Sequence, residues 1–118
     1  SVLHLDPFGD GTLDQCQQHG ITAMAWSPMG GGNLFADDDT DERNKRILAV
    51  ANLLAEKYHT ASDVILLSWL MTHPARIIPV VGTSKIERIQ SAVDATNIKL
   101  EREDWFMLWR ASTGREVA

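Results

Sequence analysis

Two short apolar segments, each followed by a turn that contains glycine, most constrain how this 118-residue chain can fold. The first covers residues 21–26 and the second covers residues 77–81, and long helical patterns lie between them. Strands that alternate with helical patterns are typical of βαβ units and a parallel sheet. The sequence therefore predicts an α/β fold in which both turns leave the carboxyl ends of strands and face one pocket.

The turn after the first segment contains Pro28 and three consecutive glycines, Gly30 to Gly32. Proline fixes its own φ angle and lacks an N–H group, whereas glycine lets a ligand approach the main chain closely. The dinucleotide-binding fingerprint is only partly matched, because Phe35 stands where its third glycine belongs. By itself this turn is a weak indication of a phosphate site.

The second turn leads into a helix that has two cations in its first turn, Lys85 and Arg88. Residues three apart share one helix face, and the positive end of the helix dipole disfavours cations there by a few tenths to ~1 kcal/mol. Ser84 and Glu87 have the spacing of a capping box. Exposed backbone N–H groups beside two cations suit a phosphate. The alternative interpretation is a solvated surface turn.

The remaining pattern is mostly helical. Residues 60–72 have almost no polar face, so we expect that helix to be deeply buried. Thr60 and Asp63 have the spacing of a capping box for it. The apolar segment 77–81 does not alternate, which is typical of a strand covered on both faces. We predict a strand end at 2–5, turns at 6–11, and helices at 12–19, 41–59, 60–72, 84–95 and 100–112.

Several residues invite a catalytic or metal-binding interpretation that the pattern does not favour. The acidic run at residues 36–42 precedes a helix, where carboxylates cap and complement the dipole. Tyr58 lies on the apolar stripe of helix 41–59, which indicates a core position. The four histidines have no metal-ligand spacing. Trp26 ends its strand, and its ring suits either stacking on a flat ligand or the core.

Charge and cysteine content narrow the classes of partner. A net charge of −5 argues against nucleic acid and anionic membranes as general partners. The single cysteine, Cys16, rules out an internal disulfide and suits a reducing compartment, so we expect a cytoplasmic protein. No apolar run reaches the ~20 residues that span a bilayer.

Three motifs in this order resemble the carboxyl-terminal part of an aldo-keto reductase. They are Ala25-Trp-Ser-Pro-Met-Gly-Gly-Gly, Leu67-Ser-Trp-Leu, and Ile78-Pro-Val-Val-Gly-Thr-Ser-Lys with Arg88. The resemblance covers nearly the whole chain. It implies strands six to eight of a (β/α)8 barrel, with their helices and a carboxyl-terminal helix, in a single partial domain of residues 1–118. It also implies NADPH as cofactor and hydride transfer to an aldehyde or ketone.

The resemblance also implies roles for individual residues. Trp26 would stack on the nicotinamide. Many relatives have an asparagine at the position of Ala92, so recognition of the adenine is left open. The residues expected to hold the pyrophosphate are Ser27, Met29, Gly30 and Gly31. Those expected at the adenosine phosphate end are Gly82, Thr83, Ser84, Lys85 and Arg88.

No residue of this chain matches the catalytic Asp, Tyr, Lys and His of that family, and Tyr58 lies in a helix. We therefore expect a portion of the enzyme that is inactive alone and associates with the amino-terminal part of the barrel, where a small carbonyl compound is reduced. Two alternatives stay open. One is a non-catalytic nucleotide-binding or regulatory module, and the other is a structural interaction domain with two accidental glycine turns.

Overall fold

The computed structural model describes residues 1–36 and 41–116, which form a small parallel sheet beside a layer of helices. A 3-10 segment, Gly30–Phe35, follows the first strand. The strands are β1 (Met24–Trp26) and β2 (Ile78–Val80); the helices are α1 (Asp6–Gly9), α2 (Thr12–His19), α3 (Glu42–Lys57), α4 (Ser62–Thr72), α5 (Ile86–Ala95) and α6 (Arg102–Thr113).

The two strands pair in parallel, as the alternation of strands and helices predicts. Met24 lies opposite Ile78 and Trp26 lies opposite Val80. Both strands therefore end at the same edge of the sheet, and the turns that follow them leave from that edge. Each strand is shorter than its apolar segment, which spans 21–26 in one case and 77–81 in the other.

Helix α4 is the centre of the helical layer. Its residues 64–70 are all buried, which confirms the prediction from its missing polar face. It packs against α3, α5, α6 and β2. Trp69 of α4 and Trp105 of α6 stack with ring centroids 4.8 Å apart. Each indole N–H donates to the other residue's carbonyl oxygen at 2.9 Å, so the two helices are joined by a reciprocal clasp.

The predicted ends of two helices are confirmed, but both predicted capping boxes are wrong. Helix α2 covers the predicted residues and ends at Gly20, whose φ of 63° is left-handed. Helix α6 likewise ends at Gly114. The residue before α4 is Ala61, which has no side-chain cap. The residue before α5 is Lys85 rather than Ser84, because a turn closed by Thr83 precedes the helix.

The amino-terminal segment also differs from its prediction. Residues 2–5 form a turn rather than a strand end, with the N–H of His4 donating to the carbonyl of Ser1 at 2.9 Å. In the part of the chain that the structure describes, no strand lies beside them to supply ladder hydrogen bonds. The turn predicted for residues 6–11 contains helix α1, in which Pro7 occupies the first turn, where its missing N–H is not needed.

The second strand is not covered on both faces as its apolar composition suggests. Ile77 is buried, but Ile78 is 51% exposed, because α4 covers one face only and no described element covers the other. Of the acidic run, residues 37–40 lie outside the described residues, and Asp41 caps α3 by accepting from the N–H of Arg43 at 2.8 Å. None of the described helices is long and apolar enough to cross a membrane.

Candidate functional site

The glycine loop, which we define as residues 27–35, begins where β1 ends. Its three glycines have φ angles of 60°, 70° and 90°, which side chains rarely tolerate. A Cβ on Gly30 would collide with the end of the Leu3 side chain, which would have to move. A Cβ on Gly31 would lie 3.8 Å from Ser27 Oγ, and one on Gly32 would face open space. The main chain of the last two glycines is therefore accessible to a ligand.

The cation loop, residues 81–85, begins where β2 ends. Thr83 Oγ1 accepts from the N–H of Lys85 at 3.1 Å, which closes the turn before α5. The Lys85 carbonyl then accepts from the N–H of Arg88 at 3.1 Å. Among the described residues, neither Lys85 nor Arg88 forms a salt bridge. Both charges stand at the solvent-exposed start of the helix.

The two loops meet in one cleft of about 970 Å³. This volume lies within the ~300–1,000 Å³ typical of small-molecule and cofactor sites. Gly30, Ser84 and Lys85 do not line the cleft, and a Cβ on Gly30 would meet the Leu3 side chain. The predicted residues that do line it are Trp26, Ser27, Met29, Gly31, Gly82, Thr83 and Arg88.

Trp26 presents its ring to the cleft and not to the core. It is 85% exposed, the most exposed of the large apolar residues in the described chain. Its place at the last position of β1, opposite Val80, puts it at the edge where the turns begin. The core interpretation of this tryptophan is therefore wrong, and its ring faces are free to stack on a flat ligand.

The opposite wall of the cleft was missed by sequence reasoning. Ser62 Oγ donates to Asn52 Oδ1, which connects the start of α4 to the middle of α3. Asp63 Oδ1 accepts from the N–H of Val64 at 2.9 Å. These side chains follow no motif, and only the packing of α3 against α4 brings them to the cleft. This wall consists of Leu48, Asn52, Ala61, Ser62 and Asp63.

Comparison with known proteins assigns this arrangement to a family. The model of the aldo/keto reductase family matches residues 8–111. The chain belongs to the aldo/keto reductase family. An uncharacterized oxidoreductase, YcsN, from Bacillus subtilis is 38% identical over 99% of this chain and 39% of its own length. The 6-dehydroglucose reductase of Agrobacterium fabrum is 36% identical over the whole chain and 38% of its own length.

A solved aldo-keto reductase supports the same assignment in three dimensions. The thermostable enzyme Tm1743, in complex with the inhibitor epalrestat, superposes with a TM-score of 0.76 at 27% identity. The match covers 93% of this chain and 36% of that enzyme. The chain therefore matches an α/β part of a reductase barrel and spans less than two-fifths of the length of these relatives.

Tyr58, the only tyrosine of the chain, lies outside the cleft. It caps the end of α3, where its hydroxyl donates to Asp104 Oδ2 at 2.5 Å and accepts from the N–H of Glu101 at 2.8 Å. Lys57 Nζ donates to both Glu101 and Asp104 at 2.8 Å. An Asp, a Tyr and a Lys thus meet here, but as a polar junction between α3 and α6.

The contacts of this junction shift the pKa values of its three side chains. Burial, and then the bond to Asp104, raise the pKa of the Tyr58 hydroxyl. Burial alone would raise the pKa of Asp104, but hydrogen bonds from Lys57 and Tyr58 outweigh it and lower the pKa from 3.8. The hydrogen bonds of Lys57 to Asp104, and then to Glu101, raise the pKa of Lys57. The Tyr58 hydroxyl thus joins the end of α3 to the start of α6 and lies outside the cleft.

Proposed function

We propose that the cleft binds NADPH, and that the chain forms the cofactor-binding part of an oxidoreductase that reduces an aldehyde or ketone. The observation that best supports this is the meeting of the glycine loop and Arg88 in one cleft. Gly31 and Arg88 are more than 50 residues apart along the chain, yet both line the cleft, where one offers free main chain and the other a free cation. A dinucleotide phosphate needs both along its length.

The lining residues fit such a cofactor. Trp26 would stack on the nicotinamide through its exposed ring, and the main chain of Gly31, together with Ser27 and Met29, would hold the pyrophosphate. Arg88 would bind the extra phosphate of NADPH in the cleft, and Lys85, three residues before it, would add positive charge. Bound NADPH supplies the hydride, and these residues orient it. Gly82, Thr83 and Ser84 would complete the adenosine end.

Within the barrel we assign β1 and β2 to strands seven and eight, with residues 2–5 following strand six. The acid that protonates the carbonyl oxygen would come from the amino-terminal part of the barrel, which would cover the open face of the sheet. A carbonyl group on a sugar is a candidate substrate, because relatives in two bacteria are named 6-dehydroglucose reductase. The half-buried single thiol of Cys16 agrees with a cytoplasmic reductase.

The test is Arg88→Ala in the intact reductase, with KM measured for NADPH and for NADH. A hydrogen bond to a charged group contributes about 1.5–3 kcal/mol, so KM for NADPH should rise by ~10- to 100-fold. KM for NADH, which lacks that phosphate, should change by less than ~3-fold. Arg115→Ala, which removes an exposed arginine outside the cleft, is the matched control. An equal rise in KM for both cofactors would contradict the proposal that Arg88 binds the extra phosphate of NADPH.

A second function, a nucleotide-binding module without turnover, is favoured by one observation. Among the described residues, no Tyr, Lys or His side chain lines the cleft, so the chain alone offers no proton donor of those types there. Such a module would show quenching of Trp26 fluorescence by NADPH, abolished in Trp26→Phe, without reductase activity. Reduction of an aldehyde by the intact protein would exclude this function.

A further inference from the structure

A second concave surface, the aromatic groove, lies at the far end of α4 from the cleft. The first turn of α4, at Ser62 and Asp63, lines the cleft, whereas the last turn, at Thr72, lines the groove. Ten residues at ~1.5 Å each put the two surfaces about 15 Å apart along the helix. The groove has a volume of about 570 Å³, which is enough for a small molecule.

Aromatic side chains form half of the groove lining, namely Phe8, His73, Trp105, Phe106 and Trp109. Trp105 and Trp109 stack at 5.5 Å with planes 23° apart. Phe8 meets Trp109 edge-on at 5.6 Å, and Phe106 meets Trp105 edge-on at 5.1 Å. The indole N–H of Trp105 is already bonded to the Trp69 carbonyl. The groove therefore offers ring surfaces rather than hydrogen-bond donors from this indole, and a flat apolar guest would complement it.

Two cations stand on the rim of this apolar surface. Lys99 and Arg102 both line the groove and are exposed. The guanidinium carbon of Arg102 lies 5.9 Å from the centroid of the Phe106 ring, which keeps the charge beside the aromatic wall. In the part of the chain that the structure describes, neither cation forms a salt bridge, and no carboxylate lines the groove.

We propose that the aromatic groove binds a small, planar aromatic carboxylate. The guest's ring packs on Trp105 and Trp109, and its carboxylate accepts hydrogen bonds from Lys99 and Arg102. Charge complementarity selects this occupant over a neutral one: the chain has a net charge of −5, yet this groove carries only positive charge. The site shares no lining residue with the cofactor cleft, so it does not depend on the proposed function.

The proposal is tested by calorimetric titration of the chain with 2-naphthoate and with uncharged 2-naphthamide. We expect one saturable site for 2-naphthoate and at least ~10-fold weaker binding of 2-naphthamide, as the loss of charge-assisted contacts predicts. The double variant Lys99→Ala/Arg102→Ala should weaken 2-naphthoate by at least ~10-fold and leave 2-naphthamide unchanged. Both substitutions are on exposed side chains, so the fold is retained.

The matched control is Lys85→Ala/Arg88→Ala, which removes two cations from the other end of the molecule and should leave 2-naphthoate binding unchanged. NMR should show shifts of the Trp105 and Trp109 indole signals, while the Trp26 signal stays in place. Three results overturn the proposal: no binding at millimolar 2-naphthoate, equal affinity for the neutral amide, or an equal loss in the control variant. Sedimentation that reveals a dimer insensitive to 2-naphthoate but broken by Lys99→Ala/Arg102→Ala also overturns it, because the groove is then an interface between copies.

Discussion

The helical layer and the sheet side of this molecule use the same residue types in opposite ways. Trp69 is fully buried in the helical layer, while Trp26 at the end of β1 is 85% exposed. Ile65 of α4 is fully buried, while Ile78 of β2 is 51% exposed. The comparison shows that apolar character alone does not place a residue in the core. A buried position requires a second element to pack against, and the sheet has one, α4, on one face only.

Hydrogen bonds from side chains to other side chains and to the backbone join helices α3, α4 and α6 to one another. The reciprocal indole clasp joins α4 to α6, and the Asp104 junction joins α3 to the start of α6. Arg43 of α3 donates to the Ser112 carbonyl at 3.0 Å near the end of α6. A two-stranded sheet, in contrast, is marginal by itself. Its exposed apolar residues fit a surface that a cofactor and the rest of a barrel would cover, as we propose.

The largest expected effect is that of Trp69→Ala. Truncation of a fully buried tryptophan leaves a cavity and should destabilise the chain by about 3–5 kcal/mol, since the ring also stacks on Trp105 and bonds its carbonyl. Urea unfolding followed by circular dichroism measures the loss. Because the whole stability of a small domain is about 5–15 kcal/mol, the variant should unfold at much lower urea.

The matched control for that prediction is Trp26→Ala, the same substitution on the sheet side. Because the Trp26 ring is exposed to solvent, its removal should lower the free energy of unfolding by no more than about 0.5 kcal/mol. If the two variants were destabilised equally, the division of the molecule into a closed layer and an open side would be wrong. Trp69→Phe, which retains an aromatic ring in the core, should lose less stability than Trp69→Ala and more than Trp26→Ala.

The sequence predicted the helical layer and the two turns well because their signals are local. Glycines and a proline mark the turns in the sequence, and the missing polar face of α4 indicates that this helix is buried. The far wall of the cleft, with Asn52 and Ser62, could not be predicted because it exists only after α3 packs on α4. Neither could the start of α5, because Thr83 Oγ1 accepts from the N–H of Lys85 and this turn leaves Lys85, not Ser84, as the residue before the helix.

Local sequence signals also explain why the second strand was predicted to be covered on both faces, although the structure covers only one. An unbroken apolar run at 77–81 reports the environment that a strand requires, but it does not supply the second covering layer. Ile77 finds one in this chain and Ile78 does not. The exposure of Trp26 has the same cause. The sequence fitted either a buried or an exposed ring, and the ring is exposed because no described element packs over it.

The next effect concerns the polar junction and its dependence on pH. Asp104 is buried and accepts from Lys57 and Tyr58. Asp104→Asn should destabilise the chain by about 1–3 kcal/mol near neutral pH, because the charge-assisted bonds are weakened. In the folded chain the pKa of Asp104 is lowered from 3.8. Its stabilising contribution is therefore complete above that value and is lost as pH falls through the folded pKa.

The measurement is the urea midpoint of the wild type and of Asp104→Asn at about pH 7 and about pH 3. The difference between the two chains should be larger at neutral pH and should shrink in acid. Glu103→Gln, on the exposed neighbour of Asp104, is the matched control and should show a small difference at both pH values. A difference that grows in acid would contradict the sign of the pKa shift.

The smallest effect is expected for Ile86→Gln on α5. Since Ile86 is 78% exposed, this substitution should change the stability of the 118-residue chain by no more than about 0.5 kcal/mol. If the rest of the barrel also covers Ile86 in the intact reductase, the same substitution there should cost about 1.5–3 kcal/mol, the value of burying an isoleucine. The difference between the two measurements is thus a direct probe of what covers the open side. Equal small losses of stability in both proteins would mean that Ile86 stays exposed in the complete enzyme and that no other part of the barrel covers it.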